Sequence, residues 1–170
     1  MNAILDRWNM LAPAEADAEV LPCCGSSQWA DILTQQRPFA DAASLFAASD
    51  EVWAQLDPAD WDEAFRSHPR IGERKAPASA TLRSTQWSSR EQAGVAIAAV
   101  EVQEQLTHAN AAYEARFGRI YIVCATGKSA EEMLAILERR LGNNDEAELR
   151  EAVEQQRQIT QLRLRKWLQL

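Results

Sequence analysis

With 170 residues, 46% of them hydrophobic and 25% charged, the chain has the make-up of one packed globular domain rather than a disordered segment. Its 25 acidic against 18 basic side chains leave a formal charge of -7, which excludes the basic footprint expected of a nucleic-acid binder. The three cysteines, Cys23, Cys24 and Cys124, are odd in number and form no CxxC pair, which argues against a disulfide framework or a zinc site and for reduced thiols.

In chain order, residues 2–11 predict a short amphipathic helix, and Pro13 opens a second that should stop before Pro22. Ser26 or Ser27 can cap a helix carrying Trp29, Ile32 and Leu33, which must end before Pro38. From Asp41, apolar residues at Leu45, Phe46, Val52, Trp53 and Leu56 fall on one helical face. Asp57 and Pro58 then start a helix with Trp61, Phe65 and His68 on one side, ended at His68 by Pro69. Residues 69–83 hold Pro69, Gly72 and Pro77 without apolar period and predict the one long loop. A long helix is expected from Ser88, with Val102, Leu106, Ala109, Tyr113 and Phe117 as its stripe and Gly118 as its stop. Residues 120–125 are the only strand-like run, with nothing to pair with, and read as an extended segment or a buried helix start. Ser129 and Glu132 form a capping box for a helix that ends at Gly142, and Asn144 starts the last one. The expectation is an all-α, single compact domain over 1–170, with about seven or eight helices. The N-terminus shows no secretory leader, no apolar run approaches the ~20 residues that cross a bilayer, and the last residues are not a Ser-Lys-Leu address. A cytoplasmic protein without membrane partners is expected.

Three residues stand out for chemistry. Of the two histidines, His108 lies in a polar stretch and reads as solvent-facing. His68 sits where a helix gives way to the long loop, and an imidazole there suits proton transfer near neutral pH. A plain C-capping histidine would look the same. Glu91 follows Ser88 by three residues, the spacing of a capping box, so it either satisfies a backbone donor or turns towards His68. A helix N-terminus at Ser88 would also offer amides to an anion. Arg163 shares a face with Ile159 and Trp167, either snorkelling to water or offering a fork to a substrate carboxylate.

The segment His68-Pro69-Arg70-Ile71-Gly72-Glu73 adds a resemblance. Taken with Ser88-Ser89-Arg90-Glu91-Gln92, with the run from Asn110 through Tyr113 and Arg116 to Phe117-Gly118, and with Gln161-Leu162-Arg163-Leu164, it resembles the 2-oxo-4-hydroxy-4-carboxy-5-ureidoimidazoline (OHCU) decarboxylase family. The resemblance covers nearly the whole chain and keeps the family's order of motifs. It implies an all-helical carboxy-lyase with no organic cofactor and no metal, often a homodimer, acting on a small anionic substrate in the last step from urate to (S)-allantoin. It further implies that His68 is the acid–base group and Glu91 its partner, that Pro69, Ser88, Gln92 and the stretch Ile120, Tyr121, Ile122 and Val123 contact substrate, and that Arg163 binds its carboxylate. Arg119-Ile120-Tyr121 departs from the Phe-Pro-Phe type expected of relatives, which weakens side-chain contacts there more than backbone ones. Two other readings stay open: a non-catalytic helical interaction module, and a lyase for a related ureido or imidazole substrate.

Overall fold

A computed structural model describes residues 2–72, 81–96 and 98–170. Among them every regular element is an α-helix, so the all-α expectation holds, but there are ten helices where about seven or eight were expected. They are α1 (Ala3–Asn9), α2 (Pro13–Cys24), α3 (Ser27–Gln35), α4 (Ala42–Gln55), α5 (Pro58–Arg66), α6 (Leu82–Glu91), α7 (Ala93–Ala96), α8 (Val100–Phe117), α9 (Ala130–Arg140) and α10 (Asp145–Trp167). No helix among the described residues is long and apolar enough to cross a membrane.

Most starts are written locally. Asn2, Ser26, Asp41 and Ser129 each lend a side-chain oxygen to the free N–H groups of the helix that follows, and Asp41 and Ser129 complete capping boxes with Ser44 and Glu132. Gly118 ends α8 at φ 67, a left-handed conformation that costs a glycine little.

Four boundaries differ from the sequence reading. The helix opened by Pro13 runs through Pro22 to Cys24, because Pro22 removes one late hydrogen bond while Pro22, Cys23 and Cys24 are all buried. The helix before His68 ends at Arg66, since a residue preceding proline is pushed out of the α region and the chain must leave the helix earlier. His68 therefore lies in the connection beyond α5, not on its face. The long helix expected from Ser88 is three pieces, α6, α7 and α8, and this adds the two unforeseen helices. Thr81, whose hydroxyl accepts from the Ser84 amide at 3.1 Å, starts α6 well before Ser88. The expected loop of 69–83 falls mostly on residues 73–80, outside the described set, and closes at Thr81.

The helices divide into two compact units, one of residues 1–64 and 157–170, the other of residues 65–156. In the first, α2 packs on α3 and α3 on α4, and Trp8 stacks on Phe39 and meets Trp167 edge-on. In the second, α8 packs on α9 around Leu106, Tyr113, Phe117, Met133 and Leu137, which are all buried.

Candidate active site

Within the second unit, the connection after α5 carries His68, Pro69, Arg70, Ile71 and Gly72. His68 is half-buried, its amide closes a turn onto the Phe65 carbonyl at 3.1 Å, and its Nε2 is shut off from solvent. The His68 backbone is thus anchored in a turn just before Pro69, while its ring carries a nitrogen enclosed by protein. His108 is exposed, as expected.

Ser88, Glu91 and Gln92 sit at the C-terminal end of α6, which overturns the capping-box reading of Ser88 and Glu91 and the notion of helix amides offered to an anion there. Their spacing of three and four residues puts them on one side of that end. Ser88 is buried, Glu91 and Gln92 are half-buried, and Gln92 forms the C-cap. Gln92 Oε1 accepts from the Gly72 amide at 3.0 Å. This bond ties the end of α6 to the connection that carries His68. It also fixes the sense of the Gln92 amide, so its remaining offer to a ligand is the two Nε2 hydrogens.

Residues 120–125 are extended but unpaired, between Gly118 and α9. Successive side chains of an extended chain point to opposite sides. Tyr121 and Val123 accordingly enter the core of the second unit, where Tyr121 Oη donates to the Met133 carbonyl at 3.1 Å, while the alternate Ile122 is not in that cluster. Among the described residues, the amides of Tyr121, Ile122 and Val123 donate to no backbone carbonyl although all three residues are buried, whereas the next amide, Cys124 N–H, donates to Gln155 Oε1 at 2.8 Å. Buried amides normally find an acceptor, so these are suited to a substrate oxygen.

A buried ionic knot supports this segment and had no counterpart in the sequence reading. Arg140 and Glu148 are both 0% exposed. Arg140 Nε donates to Glu148 Oε1 at 2.9 Å and its Nη1 to the Ile122 carbonyl at 2.7 Å. Tyr113 Oη donates to the same Glu148 oxygen, and Asn143 Nδ2 to the other at 2.9 Å. Burial works against the Arg140 charge, but Glu148 and the two tyrosines together hold its pKa above the ordinary value. Burial, then the bond to Glu148, pushes the Tyr113 hydroxyl up. The sequence signal for the knot was weak: Arg140 stands a turn from the buried Leu137, but the positions a turn from Glu148 include Asn144, Asp145 and Glu151 beside the buried Ala152.

Arg163 belongs to the first unit. It is 1% exposed, which rules out the snorkelling alternative, and its Nη1 reaches the Pro22 carbonyl at 3.4 Å. It also acts on the Cys24 thiol, which burial pushes up to about 12. All three cysteines are buried and none forms a disulfide. Among the described residues no group of three or more His, Cys, Asp or Glu side chains is placed to hold a metal ion.

The family model for OHCU decarboxylase matches residues 9–165. The chain belongs to this family. It is similar to a "Uric acid degradation bifunctional protein TTL" of Arabidopsis thaliana, 33% identical over 144 residues that make up 85% of this chain and 44% of that protein. It is also similar to the 2-oxo-4-hydroxy-4-carboxy-5-ureidoimidazoline decarboxylase of Amia calva, 32% identical across 78% of this chain and 75% of that one. The chain thus spans less than half of the Arabidopsis protein and three quarters of the Amia one. Among solved structures, an OHCU decarboxylase crystallised in the presence of (S)-allantoin superimposes with a TM-score of 0.77 at 30% identity, covering 89% of this chain and 98% of that one. An (S)-allantoin synthase shares the fold alone, with a TM-score of 0.72 at 17% identity, 96% of this chain and 53% of that one covered. The helical architecture is therefore that of the OHCU decarboxylase fold.

Proposed function

We propose that the chain decarboxylates 2-oxo-4-hydroxy-4-carboxy-5-ureidoimidazoline to (S)-allantoin, as a cytoplasmic homodimer that acts on this small anion in urate breakdown. One observation carries the reading beyond family membership: Gln92 Oε1 bonds the Gly72 amide, which joins the Ser-x-x-Glu-Gln block to the His-Pro connection across 20 residues of chain. His68 is the acid–base group, Glu91 its orienting carboxylate, and Ser88, Gln92 and Pro69 contact substrate together with the backbone of 120–123. Arg163 takes the carboxylate that leaves.

The chemistry asks little else of the protein. When the C–CO2 bond breaks, its electron pair moves into the conjugated ring of the substrate, and one proton is then delivered to the carbon from one face. Holding the carboxylate, engaging the neighbouring hydroxyl and delivering that proton are tasks for an arginine, oriented amides and a histidine. One such acid–base group contributes about 10²–10⁴-fold, so binding and orientation supply the rest.

The test is turnover of freshly generated OHCU, followed by circular dichroism for the handedness of allantoin. An excess of the S enantiomer over the spontaneous reaction is expected, and activity should survive exhaustive treatment with EDTA. Racemic product at the uncatalysed rate would refute the assignment, and loss of turnover restored by a divalent ion would refute its metal-free form.

A further inference from the structure

Directly after His68 and Pro69, three successive residues are each held by a different side chain. Arg70 forms a two-pronged ion pair with Glu114, the Ile71 carbonyl accepts from Asn110 Nδ2 at 3.0 Å, and the Gly72 amide donates to Gln92 Oε1 at 3.0 Å. Asn110 and Glu114 are one turn apart on α8 and share a face. Packing sets the place of this stretch only in part: the Ile71 side chain enters the apolar cluster of the second unit, whereas Arg70 is exposed. A cavity of about 330 Å³ is lined on one side by residues 70–72 and on the other by α8, including Thr107 and Ala111. With a cavity beside it, the backbone of the stretch is fixed by its polar tethers together with the Ile71 side chain.

Asn110 is the tether whose energetics are informative. It is 4% exposed, and its Oδ1 is buried with no hydrogen-bond partner among the described residues. A buried acceptor left unmade costs at least as much as an ordinary hydrogen bond contributes. The bond from Nδ2 to Ile71 is therefore roughly cancelled by the orphaned Oδ1, and Asn110 adds little net stability. What it does supply is a fixed point on the backbone three residues after His68.

We propose that Asn110, seconded by Glu114, is a positioning residue that holds the His68–Gly72 backbone, and through it the His68 ring, in the geometry for proton transfer. The proposal rests on the reading of His68 as the acid–base group.

The chain has only two histidines, and His108 is exposed, so ring resonances in an NMR spectrum give one reporter and one internal reference. Asn110→Leu keeps the branched shape and the number of side-chain heavy atoms, and removes the donor. It should leave the melting temperature close to that of the unmutated protein and shift or broaden the His68 ring signals with those of His108 unchanged. In the OHCU assay it should lower kcat about tenfold or more with KM within about threefold. Glu114→Gln, on a partly exposed ion pair, should move the same signals by less, and it carries the test should Asn110→Leu not fold. Unchanged His68 signals in a folded variant overturn the proposal, whatever happens to turnover. An inactive unmutated protein, or an active His68→Asn variant, overturns the reading of His68 instead. The ring signals separate the two cases because they need no turnover.

Discussion

At the scale of single residues, His68 and Glu91 are the pair on which the catalytic reading turns. His68→Asn keeps a polar group of similar size but cannot shuttle a proton at neutral pH, so most turnover should vanish from a folded protein. Glu91→Gln should cost less, and the double variant less than the sum, because the two act as a unit. Steady-state rates of the three variants beside their melting temperatures check this, and normal turnover in folded His68→Asn would end it. Arg163→Lys tests the carboxylate clamp separately: it keeps the charge but loses the fork, so KM should rise while the fold survives. Unchanged kinetics would remove Arg163 from the site. What the sequence showed of these residues was uneven. His68 was legible because proline follows it and so few histidines compete for attention. Glu91 was located but misjudged, since Ser-x-x-Glu has the same spacing at a helix start as at a helix end, and only the Thr81 cap upstream decides between them.

At the scale of elements, starts were easier to foresee than interruptions. A cap is a local contest between one side chain and a few amides, so Ser26, Asp41 and Ser129 announced theirs. The division of the expected helix from Ser88 into α6, α7 and α8 has a tertiary cause in part. A Cβ on Gly94 would lie 2.8 Å from the Lys128 carbonyl, so α7 approaches the residues before α9 more closely than any other side chain would allow. Nothing in the local pattern encodes that neighbour. Arg140 was equally hidden, because an arginine in the last turn of a helix is ordinarily there for the helix dipole. The adjacent arginines give a clean contrast. Arg140 is wholly buried on Glu148, whereas the Arg139 side chain is 57% exposed beside Glu151. Arg140→Met should cost about 3–5 kcal/mol by stranding a buried carboxylate. Arg139→Met should stay within about 1 kcal/mol, as surface pairs do. Urea unfolding of the two variants measures both, and equal losses would show that the buried knot does not secure the 120–125 segment.

At the scale of the whole molecule, composition and pattern already gave the class: an acidic chain of ordinary apolar content with helical period in its long segments. They did not give the division into two compact units, since α5 and α10 each run on through a unit boundary and no linker marks it. We expect the two to unfold together, as a single domain over 1–170 would. The aromatic residues make this measurable without any label. Of the six tryptophans, Trp8, Trp29, Trp53, Trp61 and Trp167 fall in the first unit and Trp87 alone in the second. Intrinsic emission is therefore a reporter of the first unit almost by itself, while far-ultraviolet dichroism counts helices in both. One shared midpoint by the two optical probes is the expected result, and separate midpoints would mean independent melting. With the other five changed to phenylalanine, the protein would carry a single tryptophan at Trp87, one residue before Ser88, whose emission would signal ligand arriving at the end of α6.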